Sequence, residues 1–470
     1  MGKIYSCFKD NVVFFVVIIC TFLVKLLFSD TCFFWDSISL ISVPANYLYE
    51  TKFSSLLYPP EINITLATFP QVYTALVWLL FGKNLFVTHL AYSLFVVIFL
   101  YQLYRFCGRF VSKEFIPFVY LFILLDTTIS TQVLLLTPDL FLLVFSLWSL
   151  NSLYSKKNIQ VLFSLFMLAT VSDRGMILSG ILMMFHFFLH ASQEKSFLVV
   201  LKKYTWVYIP SICFFLFVVL LQKVCSGYFF VNTADSSPWA NHWQVVDFNA
   251  FLKNIAIVFL RCFENGHFVV LMLFVIIFFL KRKTIVYEKS LLLLCGIFVL
   301  VMLLCTLPFC NPINTRYFAF LFLVFSVFLS KVLVNVLLPK SVKILFVILL
   351  FVNVMSNFIV YPEKMAQSWD SSFAHFPYYE LRNEVKTFFD NKNIDYSEVG
   401  SAFPLLQSIK DTELIEDDRC FSSIDFEKNG FVVYTNISNL DDEIIDRIKK
   451  YPCIKSFQKN GIFMRVYKIH

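Results

Sequence analysis

Charge is scarce in this sequence. Only 15% of its 470 residues are Asp, Glu, Lys or Arg, while 59% are hydrophobic and the mean hydropathy is +0.73. A soluble protein of this size needs more polar surface than that to cover its core, so a soluble globular fold is excluded. The twelve cysteines form no CxxC pair, and most lie inside apolar runs as small packing groups. Cys420 and Cys453 are in a polar stretch, and pair only if it is oxidised and their spacing permits. There is no Walker loop, no GxGxxG and no Ser nucleophile elbow, so no nucleotide cofactor is indicated. His242, with Asp235 and Asp247 near it in one loop, does not match a metal-ligand spacing, so no essential metal is expected, and no other cofactor. The net charge of +7 does not point to nucleic acid, because basic residues in an apolar chain mark cytoplasmic loops.

Long apolar runs are what the chain does have. The first, from Asn11 to Phe28, is too long for a secretory h-region and lacks a small-residue cleavage site, so it reads as a retained anchor. Lys/Arg-rich loops alternate with segments that are poorer in Lys/Arg and mostly acidic. Helices near 11–29, 85–105, 115–130, 138–154, 159–172, 175–191, 204–224, 252–280, 288–308, 316–338 and 342–360 satisfy every loop. The expected fold is an all-α polytopic membrane domain of about eleven spans over 1–360, N-terminus cytoplasmic, in a plasma or inner membrane. Arg261 and Glu264 interrupt the span at 252–280. Within the outer loop at 30–84, Ser37–Glu50 reads as amphipathic helix and Ile62–Phe81 as a helix lying in the interface. Residues 361–470 change character. A helix over Tyr378–Asn391, strands over Glu398–Phe403, Phe431–Thr435, Ile454–Gln458 and Ile462–Lys468, and a helix over Asp441–Tyr451 predict a small extracytoplasmic α/β domain.

Charged residues at the outer helix ends are the candidate site: Asp36, Glu50, Lys52, Glu61, Asp139, Asp173, Arg174 and Arg316. Asp36, in Phe33-Phe34-Trp35-Asp36-Ser37, is either a desolvated general base or a cap for the next helix. Asp139, in Thr137-Pro138-Asp139, is a helix start or part of a site. Arg174 either binds a phosphate or pairs with Asp173 to close its turn. Arg316 binds a phosphate or holds a lipid head group. His242, between Trp239 and Trp243, anchors the interface or stacks on a sugar.

The order of these pieces resembles the C-type (GT-C) glycosyltransferases, in the protein O-mannosyltransferase and aminoarabinose-transferase (family 39-like) branch. The matching features are Asp36 after the first span, Tyr58-Pro59-Pro60 opening an interfacial helix that ends at Phe81-Gly82, Thr137-Pro138-Asp139, Arg174-Gly175 and Arg316-Tyr317. That family usually has a second acid where this chain has Ser37. The resemblance implies an inverting, metal-independent transferase at the extracytoplasmic face. Asp36 would be its base and Arg174 and Arg316 would hold the phosphate of a polyprenyl-phosphate sugar, with Tyr58, Glu61, Asp139, Asp173 and Tyr317 around the substrate. Its partners would be that donor lipid and a glycan, lipid or protein acceptor. The rival readings are a lipid-linked glycan flippase and an envelope glycan polymerase or ligase.

Overall fold

The computed structural model describes residues 12–62, 64–191, 197–227, 244–281, 288–310 and 312–470. A helix stands wherever the charge pattern calls for a span. They are α1 (Val12–Leu27), α4 (Leu85–Phe110), α5 (Ile116–Leu124) with α6 (Thr127–Leu134), α7 (Pro138–Tyr154), α8 (Asn158–Ala169) and α9 (Asp173–Ala191). There follow α10 (Phe197–Ser226), α11 (Phe248–Phe263) with α12 (His267–Lys281), α13 (Lys289–Thr306), α14 (Ala319–Val336) and α15 (Pro339–Ser356). Among the described residues, five helices are long and apolar enough to cross a membrane, or up to seven if each bent pair is one span.

Two spans expected to be continuous are broken. The 115–130 segment bends by 71° between α5 and α6, and the 252–280 segment by 86° between α11 and α12. Local chemistry explains both. Asp126 stops the first helix by capping the second, its Oδ1 accepting from the amides of Thr128 and Ile129 at 3.1 Å each. Asn265 and Gly266 turn the second through left-handed backbone, φ 56° and 86°. The two breaks meet, because His267 Nε2 lies 2.8 Å from Asp126 Oδ2. Beside them the Lys25 ammonium, 1% exposed, donates to the carbonyls of Val133 and Leu134 and so serves the C-terminus of α6.

Between α1 and α4 the chain makes a π-helical turn, Ile38–Ser42, and then α2 (Val43–Glu50). Helix α3 (Phe69–Phe81) starts later than the apolar run suggests. A capping box fixes that start: Thr68 caps, and Gln71 Oε1 accepts from the Thr68 amide at 2.8 Å. α14 is the central helix, mostly buried against α4, α5, α6, α7, α12, α13 and α15. Arg316 precedes it, on a 3₁₀ turn at Thr315–Phe318.

The tail holds α16 (Pro377–Asn391), β1 (Val399–Ser401), α17 (Ile409–Glu413), β2 (Ser422–Ser423), β3 (Phe431–Thr435), α18 (Asp442–Ile448), β4 (Cys453–Lys459) and β5 (Ile462–Lys468). The sheet order is β2-β1-β3-β5-β4. β1 runs parallel to β2 and β3, and the β3/β5/β4 part is antiparallel, with Tyr434 opposite Arg465. α17 and β2 were not expected from sequence. Cys420 and Cys453 are both free and exposed. The tail's core is not made from the tail alone: Phe34, from the loop after α1, packs among Trp369, Tyr378, Leu381 and Met464.

Candidate functional site

The segment that carries Asp36 is held by the tail. The Phe33 amide donates to Thr412 O at 3.0 Å. Phe34 stacks on the His375 ring, centroids 4.1 Å apart and planes within 8°. Burial pushes the His375 imidazole down to about 4, so at neutral pH it stacks as an uncharged plate, with Nδ1–H donating to Ser372 O at 2.7 Å. Trp35 meets Phe403 edge-on at 5.2 Å and adopts a left-handed backbone, φ 53°, unusual for a bulky residue and costly unless its surroundings enforce it. The Ser37 hydroxyl is turned back, bonded to both backbone groups of Phe34. Ser37 therefore does not stand in for a second acid.

Asp36 does not cap the following turn; its carboxylate contacts Arg316 Nη2. Arg316 Nη1 lies 3.0 Å from Asp139 Oδ2, and Nε lies 3.2 Å from Asp370 Oδ2, an ion pair without hydrogen-bond angles. Arg174 takes the other side of Asp139, with Nη1 to Oδ1 at 2.5 Å and Nη2 to Oδ2 at 3.2 Å. Arg174 thus reaches across to Asp139 and does not close its turn on Asp173. The Tyr317 ring lies under both guanidinium groups, 4.6 Å from Arg174 and 5.7 Å from Arg316. Five charged groups from the loop after α1, three helix starts and the tail therefore form one cluster, three carboxylates on two guanidinium groups. Exposure separates the two cations: the side chain of Arg174 is 19% exposed and that of Arg316 1%.

Gly175 is what allows Arg174 to sit there. A Cβ on it would lie 2.1 Å from Leu168 O and 3.2 Å from Leu142 Cδ2, so α9 crosses α8 only because the side chain is missing. Gly175→Ala is expected to destabilise the fold by about 1–3 kcal/mol through overpacking, read as a lower melting temperature in detergent.

The other expected site residues fall elsewhere. Tyr58 donates to Gln71 Oε1 at 3.1 Å and packs on Tyr47, bracing the outer loop. Glu61 is exposed on the turn Pro60–Ile62, outside the cluster. Glu50 pairs with Lys410 of the tail at 2.7 Å. Asp173 is exposed, at one end of a groove between α9, α10 and α13 with a volume of about 360 Å³; its walls are mostly apolar, including Met176, Ile177, Met183, Phe215 and Val301. Ile177 also lines the small hollow, about 30 Å³, between Arg174 and Arg316, so groove and cluster adjoin. Arg261 and Glu264 pair with each other at 2.9 Å and with the tail, through Ala366 O and the Tyr361 hydroxyl. His242 lies outside the described residues, with Trp239, Trp243 and Asp235.

Sequence reasoning missed Asp370. Its signal was the tripeptide Trp-Asp-Ser, which occurs as Trp35-Asp36-Ser37 and again as Trp369-Asp370-Ser371. Burial pushes the Asp370 carboxyl up to about 6, against the pull of Arg316 and with repulsion from Asp36 and Asp139. The folded chain therefore holds this proton more tightly than the unfolded one. The stability it contributes is fully present below the ordinary value of 3.8 and is lost as pH rises through about 6. That interval corresponds to about 3 kcal/mol. The melting temperature of Asp370→Asn relative to wild type is accordingly expected to climb between pH 4 and pH 7.

No protein-family model and no curated protein matches the chain. Among solved structures it is similar to ArnT from Cupriavidus metallidurans, crystallised with undecaprenyl phosphate. The two share 13% identity over 77% of this chain and 68% of that one, with a TM-score of 0.46.

Proposed function

We propose that this chain is a membrane glycosyltransferase of the GT-C kind, moving a sugar from a polyprenyl-phosphate donor to an acceptor hydroxyl at the extracytoplasmic face. The observation that carries the reading is the charge cluster: Asp36, Asp139, Arg174 and Arg316, at the ends of separate helices and loops, converge beside an apolar groove. Burying such groups is costly, and a packed apolar junction would serve stability better. All eleven expected spans cross in this reading, which puts the cluster and the tail outside.

The chemistry follows from exposure and reach. The donor's isoprenoid lies in the groove between α9, α10 and α13, and its phosphate meets Arg174, the more exposed guanidinium, which keeps three N–H donors beyond the two given to Asp139. Arg316 stands behind, its charge shared among Asp36, Asp139 and Asp370. Asp36 accepts the acceptor's hydroxyl proton. The oxygen attacks the anomeric carbon from the face opposite the phosphate, the C–O bond to phosphate breaks, and its electrons stay on the phosphate beside Arg174. One displacement inverts the anomeric centre. Arg174 supplies the charge stabilisation, and this reading invokes no metal. A flippase would use charges within its spans; of the few candidates, Arg261, Glu264 and Lys331, the first two are committed to each other and to the tail.

The experiment is direct. Purified protein in lipid nanodiscs is given a panel of polyprenyl-phosphate sugars with glycan, lipid and peptide acceptors, and free polyprenyl phosphate is measured. Release that needs both donor and acceptor is the expected result. Lipid translocation without release, or no turnover of any donor by folded protein, overturns the proposal.

A further inference from the structure

Asp370 belongs to the segment Ala366–Ser372, which leaves the membrane helices and returns into the space between them. Several helix ends bond to its polar groups. Gln132 Nε2, on α6, donates to Asp370 O at 2.7 Å, and Asn265 Nδ2, at the α11/α12 break, to Ser371 O at 3.3 Å. Arg261 reaches Ala366 O at 3.5 Å. Asn314 Nδ2 donates to Asp370 Oδ1 at 2.9 Å while its Oδ1 accepts from the Ser371 hydroxyl at 2.8 Å, and the Thr315 amide and hydroxyl both meet Ser368 Oγ. The indole of Trp369 is anchored in turn on Asn439 Oδ1 at 3.2 Å. This holds Asp370 Oδ2 against the one edge of Arg316 that Asp36 and Asp139 leave open.

We propose that Asp370 is a positioning residue: it fixes the Arg316 guanidinium, and through it the Asp36 carboxylate, so that tail and membrane helices build one catalytic centre between them. The inference rests on the transferase reading above. Three carboxylates facing two guanidinium groups leave an excess of negative charge, so at neutral pH the third acid is a burden on stability. Its burial, and the carboxyl value of about 6, agree with that. A buried acid that weakens the fold while orienting a catalytic pair is what a stability–function trade-off looks like at a site. The charged and titratable groups facing it are Arg316, Asp36, Asp139 and Tyr317. Asp370 itself need not touch the substrate.

The test separates orientation from folding. In the release assay with the donor that wild type uses, Asp370→Asn is expected to lower kcat by roughly 10- to 100-fold, because a misplaced catalytic group costs about that much. The donor KM should stay within about threefold, because Arg174 is untouched. Its melting temperature at pH 7 should equal or exceed that of wild type. Unchanged kcat, or a kcat loss that tracks a lower melting temperature, overturns the proposal. Asn314→Ala removes the bond to Asp370 Oδ1 without altering charge, and should give a smaller kcat loss in the same direction. Should wild type turn over no donor at all, the transferase reading fails, and the melting temperatures of Asp370→Asn, Arg316→Lys and the double variant still decide whether Asp370 fixes Arg316. Non-additive shifts support that link, and additive shifts overturn it.

Discussion

Asp36→Asn is expected to reduce kcat by about 10³-fold, within the 10²–10⁴ range that removal of a general base commonly costs. The amide has the size of the carboxylate and retains an oxygen for Arg316 Nη2, but it cannot take a proton from an acceptor hydroxyl. The charge arithmetic makes the experiment clean. Wild type sets Asp36, Asp139 and Asp370 against Arg174 and Arg316, and the substitution leaves two acids with two bases. The fold should therefore not suffer, and donor affinity should hold or tighten as negative charge near the phosphate falls. Steady-state release of polyprenyl phosphate, with a melting curve on the same sample, reads both quantities. Activity within threefold of wild type would remove Asp36 from the base role.

Arg316→Met should be damaging for a different reason. Met roughly replaces the volume, but the buried Asp370 and the half-buried Asp36 are then left with no cation, and Asp139 keeps only Arg174. Removing one partner of a buried ion pair typically costs about 3–5 kcal/mol, because the remaining charge is stranded in low dielectric. The expected result is a large fall in melting temperature and in protein recovered from membranes at pH 7. The defect should shrink on acidification, as the stranded carboxyls take up protons. It should shrink again when Asp370→Asn is added, since one of those charges is then gone. A normal melting temperature at pH 7 would mean that Arg316 does not hold the cluster together.

The unbroken helices were legible in the sequence and the two breaks less so. Apolar length and Lys/Arg alternation are local properties, so α4, α10, α13, α14 and α15 stand where the pattern puts them. The strands Phe431–Thr435 and Ile462–Lys468 were equally plain, from their β-rich composition and flanking turns. The bend at Asn265-Gly266 was signalled by the charges beside it, but the bend at Asp126 was not, because a single acid in an apolar run reads as an interruption until its cap and its His267 partner are seen.

Residue types and order by themselves determined that this chain is an apolar multi-helix protein with a polar α/β tail, and nominated Asp36, Asp139, Arg174 and Arg316. Composition and periodicity act over a few neighbouring residues, so one chain suffices to read them. Only the tertiary structure decided which charges meet: Arg174 takes Asp139 and not its neighbour, Glu61 and Tyr58 stand apart, and Asp370 arrives from the tail to complete the ring around Arg316. Those pairings span up to 280 residues. They are fixed by how helices pack and where a tail folds back, which no local pattern encodes.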